Sequence, residues 1–220
     1  MNAPEQKAER SFADSSAGAQ ASEQIDGFAT NLYQDRSFDM PAAKILPGEF
    51  FVTSEDMLLV TVLGSCVAAC IRDTASGIAG LNHFMLPESC EKNVVSNAAR
   101  YGAHAMELLI NHLLKAGARR SRLEAKVFGG GSVLGNQISS KVGERNADFV
   151  LKFLDTENIP VVAKDLLDSY PRKVYFFSSS GRVLVRKLHR VHNDTLFNRE
   201  RDYRNRIEQS KVAGDIELFT

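Results

Sequence analysis

An α+β fold, with packed mixed or antiparallel β-sheets and flanking helices, is what the hydrophobic pattern of this chain predicts. Short runs rich in Val, Ile, Leu and Phe recur between Phe50 and Leu86, separated by polar or glycine-containing breaks. Two later stretches carry apolar residues at helical spacing, and further short apolar runs follow them. At 220 residues and 44% hydrophobic content, the chain can form one domain with a sizeable core and tails.

The first strands are expected at Phe50 to Thr53, Met57 to Leu63, Val67 to Arg72 and Ile78 to Leu86, with the middle ones buried on both faces. A helix is expected over Asn97 to Ala116, where Tyr101, Ala105, Leu108, Leu109, Leu113 and Ala116 share a stripe and Gly117 ends it. Leu123 to Phe128 reads as a strand, followed at once by Gly129, Gly130 and Gly131. A second helix is expected over Gly143 to Leu154, with Asn146 as a cap. Strands at Pro160 to Lys164, Lys173 to Ser178 and Val183 to Leu188 follow, the last two forming a hairpin about Ser180-Gly181.

These assignments place the domain at 47–192. Residues 1–46, rich in Ala, Ser, Gln and Glu at their start, read as a disordered tail. Residues 193–220 read as a charged tail or short helix, its sign-alternating run from Arg199 to Arg206 being either a solvated face or a docking element.

Composition excludes several classes of function. Formal net charge is +0, from 27 basic and 27 acidic residues, which gives no support to a nucleic-acid or membrane-surface partner. Three cysteines argue against a disulfide framework. The expectation is a cytoplasmic protein, since no secretory h-region and no run of membrane-spanning length is seen.

The chemistry centres on Leu63 to Pro87. Two strands joined by the turn Asp73 to Gly77 would lie antiparallel, bringing Cys66 and His83 together at their outer ends. An imidazole beside a thiol takes its proton and frees a nucleophilic thiolate. Gly64 and Ser65 precede the cysteine, and backbone N–H groups there could hold a developing oxyanion. The plainer alternative is that Cys66 is a small buried hydrophobe and His83 a satisfied core residue. Cys70 reads as core and completes no zinc pattern, so neither a metal nor another cofactor is expected. The glycine run after Phe128 matches neither a Walker loop nor a dinucleotide fingerprint.

TVLGSCVAACIRD, GLNHFMLP, the YGAHAMELLI helix, EAKVFGGG, GERNADFVLKFL and PRKVYFF, in this order, resemble the chemoreceptor glutamine deamidase family, CheD. The resemblance extends over roughly Gly48 to Leu188 and implies a cysteine-hydrolase-like sandwich. It implies a Cys-His pair with a supporting threonine, falling on Cys66 and His83, with Thr61 as the threonine or simply a strand-forming residue. Gly129 and Gly130 would form a wall of the substrate cleft. The family often carries a glycine pair after the position of Asp165, where this chain has Leu166 and Leu167.

The implied reaction is hydrolysis of receptor glutamine amides to glutamate through a thioester, with methyl-ester cleavage as a second activity. The implied partners are chemoreceptor cytoplasmic domains, a CheC-type phosphatase and a response regulator. A non-catalytic adaptor is the competing class, although it would not need both Cys66 and His83. A papain-like protease is disfavoured by the short Cys-to-His spacing. Because long receptor helices must reach the site, Cys66 is expected to be partly exposed.

Overall fold

Residues 27–87, 95–132, 137–188 and 194–209 are described by the computed structural model of the chain. Two five-stranded sheets face each other. The first has the order β1 (Asn31–Asp35), β2 (Met40–Lys44), β4 (Leu58–Leu63), β9 (Arg172–Phe177) and β10 (Val183–Lys187). The second has the order β3 (Phe50–Thr53), β6 (Ala79–Asn82), β5 (Val67–Asp73), β7 (Leu123–Gly129) and β8 (Val161–Leu166). Helices α1 (Val95–Lys115) and α2 (Gln137–Thr156) pack on the outer face of the second sheet, and a third helix, α3 (Asp194–Gln209), follows β10. The predicted α+β class, with mixed sheets and flanking helices, is the one observed: β2–β4 and β7–β8 are parallel and the remaining pairs antiparallel.

The layering follows from strand periodicity. Alternate residues of a strand point to opposite faces, so Leu59, Thr61 and Leu63 of β4 share one face. Leu59 and Leu63 join Ala68 and Cys70 of β5 and Val174 and Phe176 of β9 between the sheets. On the other face of β5, Val67, Ala69 and Ile71 meet Met106 and Leu109 of α1 and Val150 and Leu154 of α2. The second sheet is thus covered on both sides, and for that reason β5 reads as an unbroken apolar run.

Three expectations are corrected. The tail expected through residue 46 contains β1 and β2, which extend the first sheet, while residues 1–26 lie outside the described residues. β1 escaped notice because it is an edge strand: its sequence NLYQD is mostly exposed and polar, and edges are kept so to discourage further pairing. Asn146 is not a cap, because α2 starts at Gln137 and Asn146 lies buried within it. The charged segment near the C terminus does form a helix, but not a wholly solvated one, since Glu200, Tyr203 and Ile207 are buried.

A buried cation closes the turn between β8 and β9. The Arg172 guanidinium is fully enclosed, pairs with Asp165 Oδ1 at 2.6 Å and donates to the carbonyls of Asp165 and Leu167. Leu167 and Asp168 there have φ of 65° and 77°, the left-handed region that glycine enters without penalty. Arg172 holds this turn in place although neither residue is glycine.

Gly129 has φ 112°, and a methyl group on it would lie 2.1 Å from the Cys66 carbonyl oxygen. We expect Gly129→Ala to lower unfolding free energy by about 3 kcal/mol or more, because strain and backbone overlap act together. Urea denaturation measures it, and a loss below about 1 kcal/mol would contradict so close a contact.

Candidate active site

β4 ends at Leu63 in one sheet and β5 begins at Val67 in the other, so Gly64, Ser65 and Cys66 form the corner between them. Backbone polar groups buried at such a corner need partners outside the ladders. The carbonyls face backward: Gly64 O accepts from Gly131 N at 2.7 Å, Cys66 O from Gly130 N at 2.8 Å, and Ser65 O from Asn146 Nδ2 at 2.8 Å. The amides face forward and converge on one carboxylate. Gly64 N and Cys66 N donate to Glu200 Oε1 at 2.8 and 3.4 Å, and Ser65 N donates to Oε2 at 3.1 Å. Ser65 Oγ donates to the same Oε2 at 2.8 Å. Successive N–H groups pointing into one concavity make a site for an anion or oxyanion.

His83 is brought to this corner by the β5–β6 hairpin. Val67 and Phe84 exchange two backbone hydrogen bonds, of 2.9 and 3.0 Å, a register that continues the β5–β6 ladder and makes Cys66 and His83 diagonal neighbours on one face near the strand ends. His83 is also held through its own backbone, its N–H donating to Glu49 O at 2.9 Å and its carbonyl accepting from Gly48 N at 2.7 Å.

Thr61 fixes the tautomer of that ring. Its Oγ1 lies 2.8 Å from Ile45 O and 2.8 Å from His83 Nδ1. A hydroxyl has one proton, and a carbonyl can only accept, so Oγ1 donates to Ile45 O and accepts from Nδ1–H. Nε2 is left with its lone pair, and this buried atom has no hydrogen-bond partner among the described residues. One ligand atom from each of Cys66, His83 and Glu200 lies within 4.8 Å of the others. A bare imidazole nitrogen beside a thiol can take the thiol proton.

Both groups are neutral in the arrangement seen. Burial lowers the His83 pKa to about 3. Burial raises the Cys66 pKa well above its usual value, and the Glu200 carboxylate adds to the rise. The expectation of a partly exposed cysteine is not met: Cys66 has 0% of its surface accessible. The cause is α3, whose Glu200 stands in front of the corner.

Gly64 and Ser65 turn their N–H groups toward the Glu200 carboxylate, whereas Gly129 and Gly130 do not face it. They lie behind the corner, with the Gly130 N–H committed to Cys66 O. Cys70 is buried between the sheets, consistent with a core role. Two residues that the sequence does not assign to the site are central: Asn146, read there as a cap, and Glu200, read there as part of a charged run. Asn146 joins Ser65 O to the amide of Leu86, its Oδ1 accepting from Leu86 N at 2.9 Å, and so ties the cysteine corner to the segment after His83. Cys66, His83 and Glu200 are a set that could ligate a metal ion. Both carboxylate oxygens, however, are engaged by the corner's N–H groups, a donor set suited to an anion.

Comparison with known proteins adds the following. A family model described as CheD chemotactic sensory transduction matches residues 85–187. "Probable chemoreceptor glutamine deamidase CheD 1" of Dechloromonas aromatica is 69% identical over 87% of this chain and 95% of that protein. Proteins named "Probable chemoreceptor glutamine deamidase CheD" from Herminiimonas arsenicoxydans and Janthinobacterium are 62% and 61% identical, each over 88% of this chain and 96% of their own length. With identity at that level along nearly the whole length of its relatives, this chain belongs to the CheD family.

Proposed function

We propose that this chain is a chemoreceptor glutamine deamidase in which Cys66 is the nucleophile, His83 the general base and acid, and Thr61 the residue that positions His83. The names of its relatives support the substrate class. The observation that carries the chemistry is the corner itself: three backbone N–H groups converge on a carboxylate beside a thiol and a histidine with a bare Nε2.

The reaction uses each of these groups. His83 Nε2 takes the Cys66 proton, and the thiolate attacks the side-chain amide carbon of a receptor glutamine. The oxygen becomes an oxyanion held by the N–H groups of Gly64, Ser65 and Cys66. His83 returns the proton to the amide nitrogen, ammonia leaves and a thioester remains. A water molecule, deprotonated by His83, then cleaves the thioester to give glutamate and the free thiol. The Nδ1–H···Oγ1 bond to Thr61 keeps the Nε2 lone pair available to the proton through both halves. A glutamate methyl ester would form the same thioester with methanol leaving, so methylesterase activity belongs to this proposal. So does association with a CheC-type phosphatase and a response regulator.

Incubation with a chemoreceptor cytoplasmic fragment, followed by peptide mass spectrometry, tests the reading. Wild type is expected to add about one dalton at specific glutamines, and Cys66→Ala and His83→Ala are expected to lose at least about 100-fold in rate. Thr61→Val is expected to lower kcat by about 10- to 100-fold with little change in KM, and Thr61→Ser to restore most of it. Absence of any mass gain with wild type would overturn the proposal.

The buried neutral histidine also makes stability depend on pH. Its folded pKa, about 3, lies below the unfolded value, so below about pH 6.5 the unfolded chain binds a proton that the folded chain does not. Stability is expected to fall as pH drops from about 6.5 toward 3, by about 2.5 kcal/mol at pH 4.5. His83→Ala should lack that loss in urea denaturation at pH 7 and 4.5. Asp73, whose carboxyl the Arg122 guanidinium holds well below the usual range, adds its own loss only below about pH 4.

A further inference from the structure

α3 does to the corner what a bound reaction product would do. Its Glu200 side chain ends in a glutamate carboxylate, the group that deamidation creates, resting on the Gly64, Ser65 and Cys66 N–H groups. The approach is close enough that a methyl group on Gly64 would come within 2.8 Å of Glu200 Oε1. Tyr203 and Ile207, three and seven residues further on, occupy the same helical face and are buried in the inter-sheet core. Tyr203 lies over Gly48, where a methyl group would meet its ring at 2.6 Å, and its hydroxyl bonds that of Tyr101 on α1. A cleft of about 840 Å³ continues from His83 and Tyr203 past Phe28, Tyr101, Ala105 and Leu108. Its lining mixes these apolar side chains with Glu49, Asn82 and His104.

Building on the deamidase reading, we propose that α3 is an intramolecular pseudosubstrate. It fills the groove meant for a receptor helix, with Glu200 in the place of the reacting glutamine, and must leave before the enzyme can act. The substrate this geometry selects is an amphipathic helix carrying glutamine at one position and a large apolar or aromatic side chain three residues later. Inhibition has two parts. The carboxylate occupies the oxyanion site, and its charge beside Cys66 disfavours the thiolate.

Replacing the carboxylate by an amide turns the inhibitor into a substrate. In Glu200→Gln, Cys66 would form a bond to Cδ of residue 200, ammonia would leave with the proton carried by His83, and water would cleave the thioester, giving glutamate at that position. One amide and one water are consumed, and one carboxylate and one ammonia appear.

The full-length protein provides the test without any receptor. Peptide mass spectrometry of purified Glu200→Gln is expected to find residue 200 converted to glutamate, about one dalton heavier, and still glutamine when Cys66→Ala is added. In parallel, iodoacetamide is expected to alkylate Cys66 at least about tenfold faster in Glu200→Ala and in Tyr203→Ala than in wild type, as for a site open less than about a tenth of the time. Cys70, buried elsewhere in the core, serves as the internal control for general unfolding. Residue 200 remaining glutamine with Cys66 intact, or equal alkylation rates in all three proteins, would overturn the proposal. Conversion at residue 200 without any receptor deamidation would leave the pseudosubstrate standing and remove the receptor as substrate. Receptor deamidation without conversion or faster alkylation would do the opposite.

Discussion

Everything at the centre of this molecule depends on how the chain turns from one sheet into the other between Leu63 and Val67. A chain that leaves one ladder for another must strand several amides and carbonyls, and burial makes each costly unless it is paired. Here the two sets are separated by direction. The carbonyls are bound from behind by the Gly130 and Gly131 amides and by Asn146, leaving the amides to face outward as a group. The requirement that makes the corner stable thus also makes it a receptor for negative charge. Function at this point is a by-product of satisfying the backbone.

The same economy applies to His83. Thr61 is a β-branched strand residue on the inward face of β4, and its hydroxyl needs a partner there. Ile45 O accepts the hydroxyl's hydrogen bond, and the oxygen is left free to accept from the imidazole. A valine would pack equally well in that position but would leave the ring free to choose its tautomer.

Legibility in the sequence followed distance along the chain. The pair Cys66 and His83 could be read because a single hairpin joins them, and hairpin pairing follows from local alternation and a polar turn. Thr61 was legible as a candidate because it lies on the strand entering the corner, although nothing in the sequence fixes where its hydroxyl points. Asn146 and Glu200 were not legible. They reach the corner from helices far along the chain: asparagine suits a helix cap as well as a buried bridge, and a glutamate in a charged run looks like an ordinary solvated residue until the fold turns it inward. The first two strands were missed for a related reason, since an edge strand such as β1 has little apolar face to show. The glycine run reads as a wall of the cleft, because sequence cannot tell the front of a corner from its back.

The strand order carries a consequence for how the molecule is made. β4 lies between β2, from the start of the described chain, and β9, paired so that Leu58 meets Phe177. Closing so long a loop is slow compared with forming a hairpin, and topologies dominated by distant pairings fold late and cooperatively. The β5–β6 hairpin can bring Cys66 near His83 early, but Thr61 is held in register only once β9 has docked against β4. Local pairing alone therefore gives a thiol beside an unaligned imidazole, and the alignment of the pair rests on one of the most distant strand contacts of the fold.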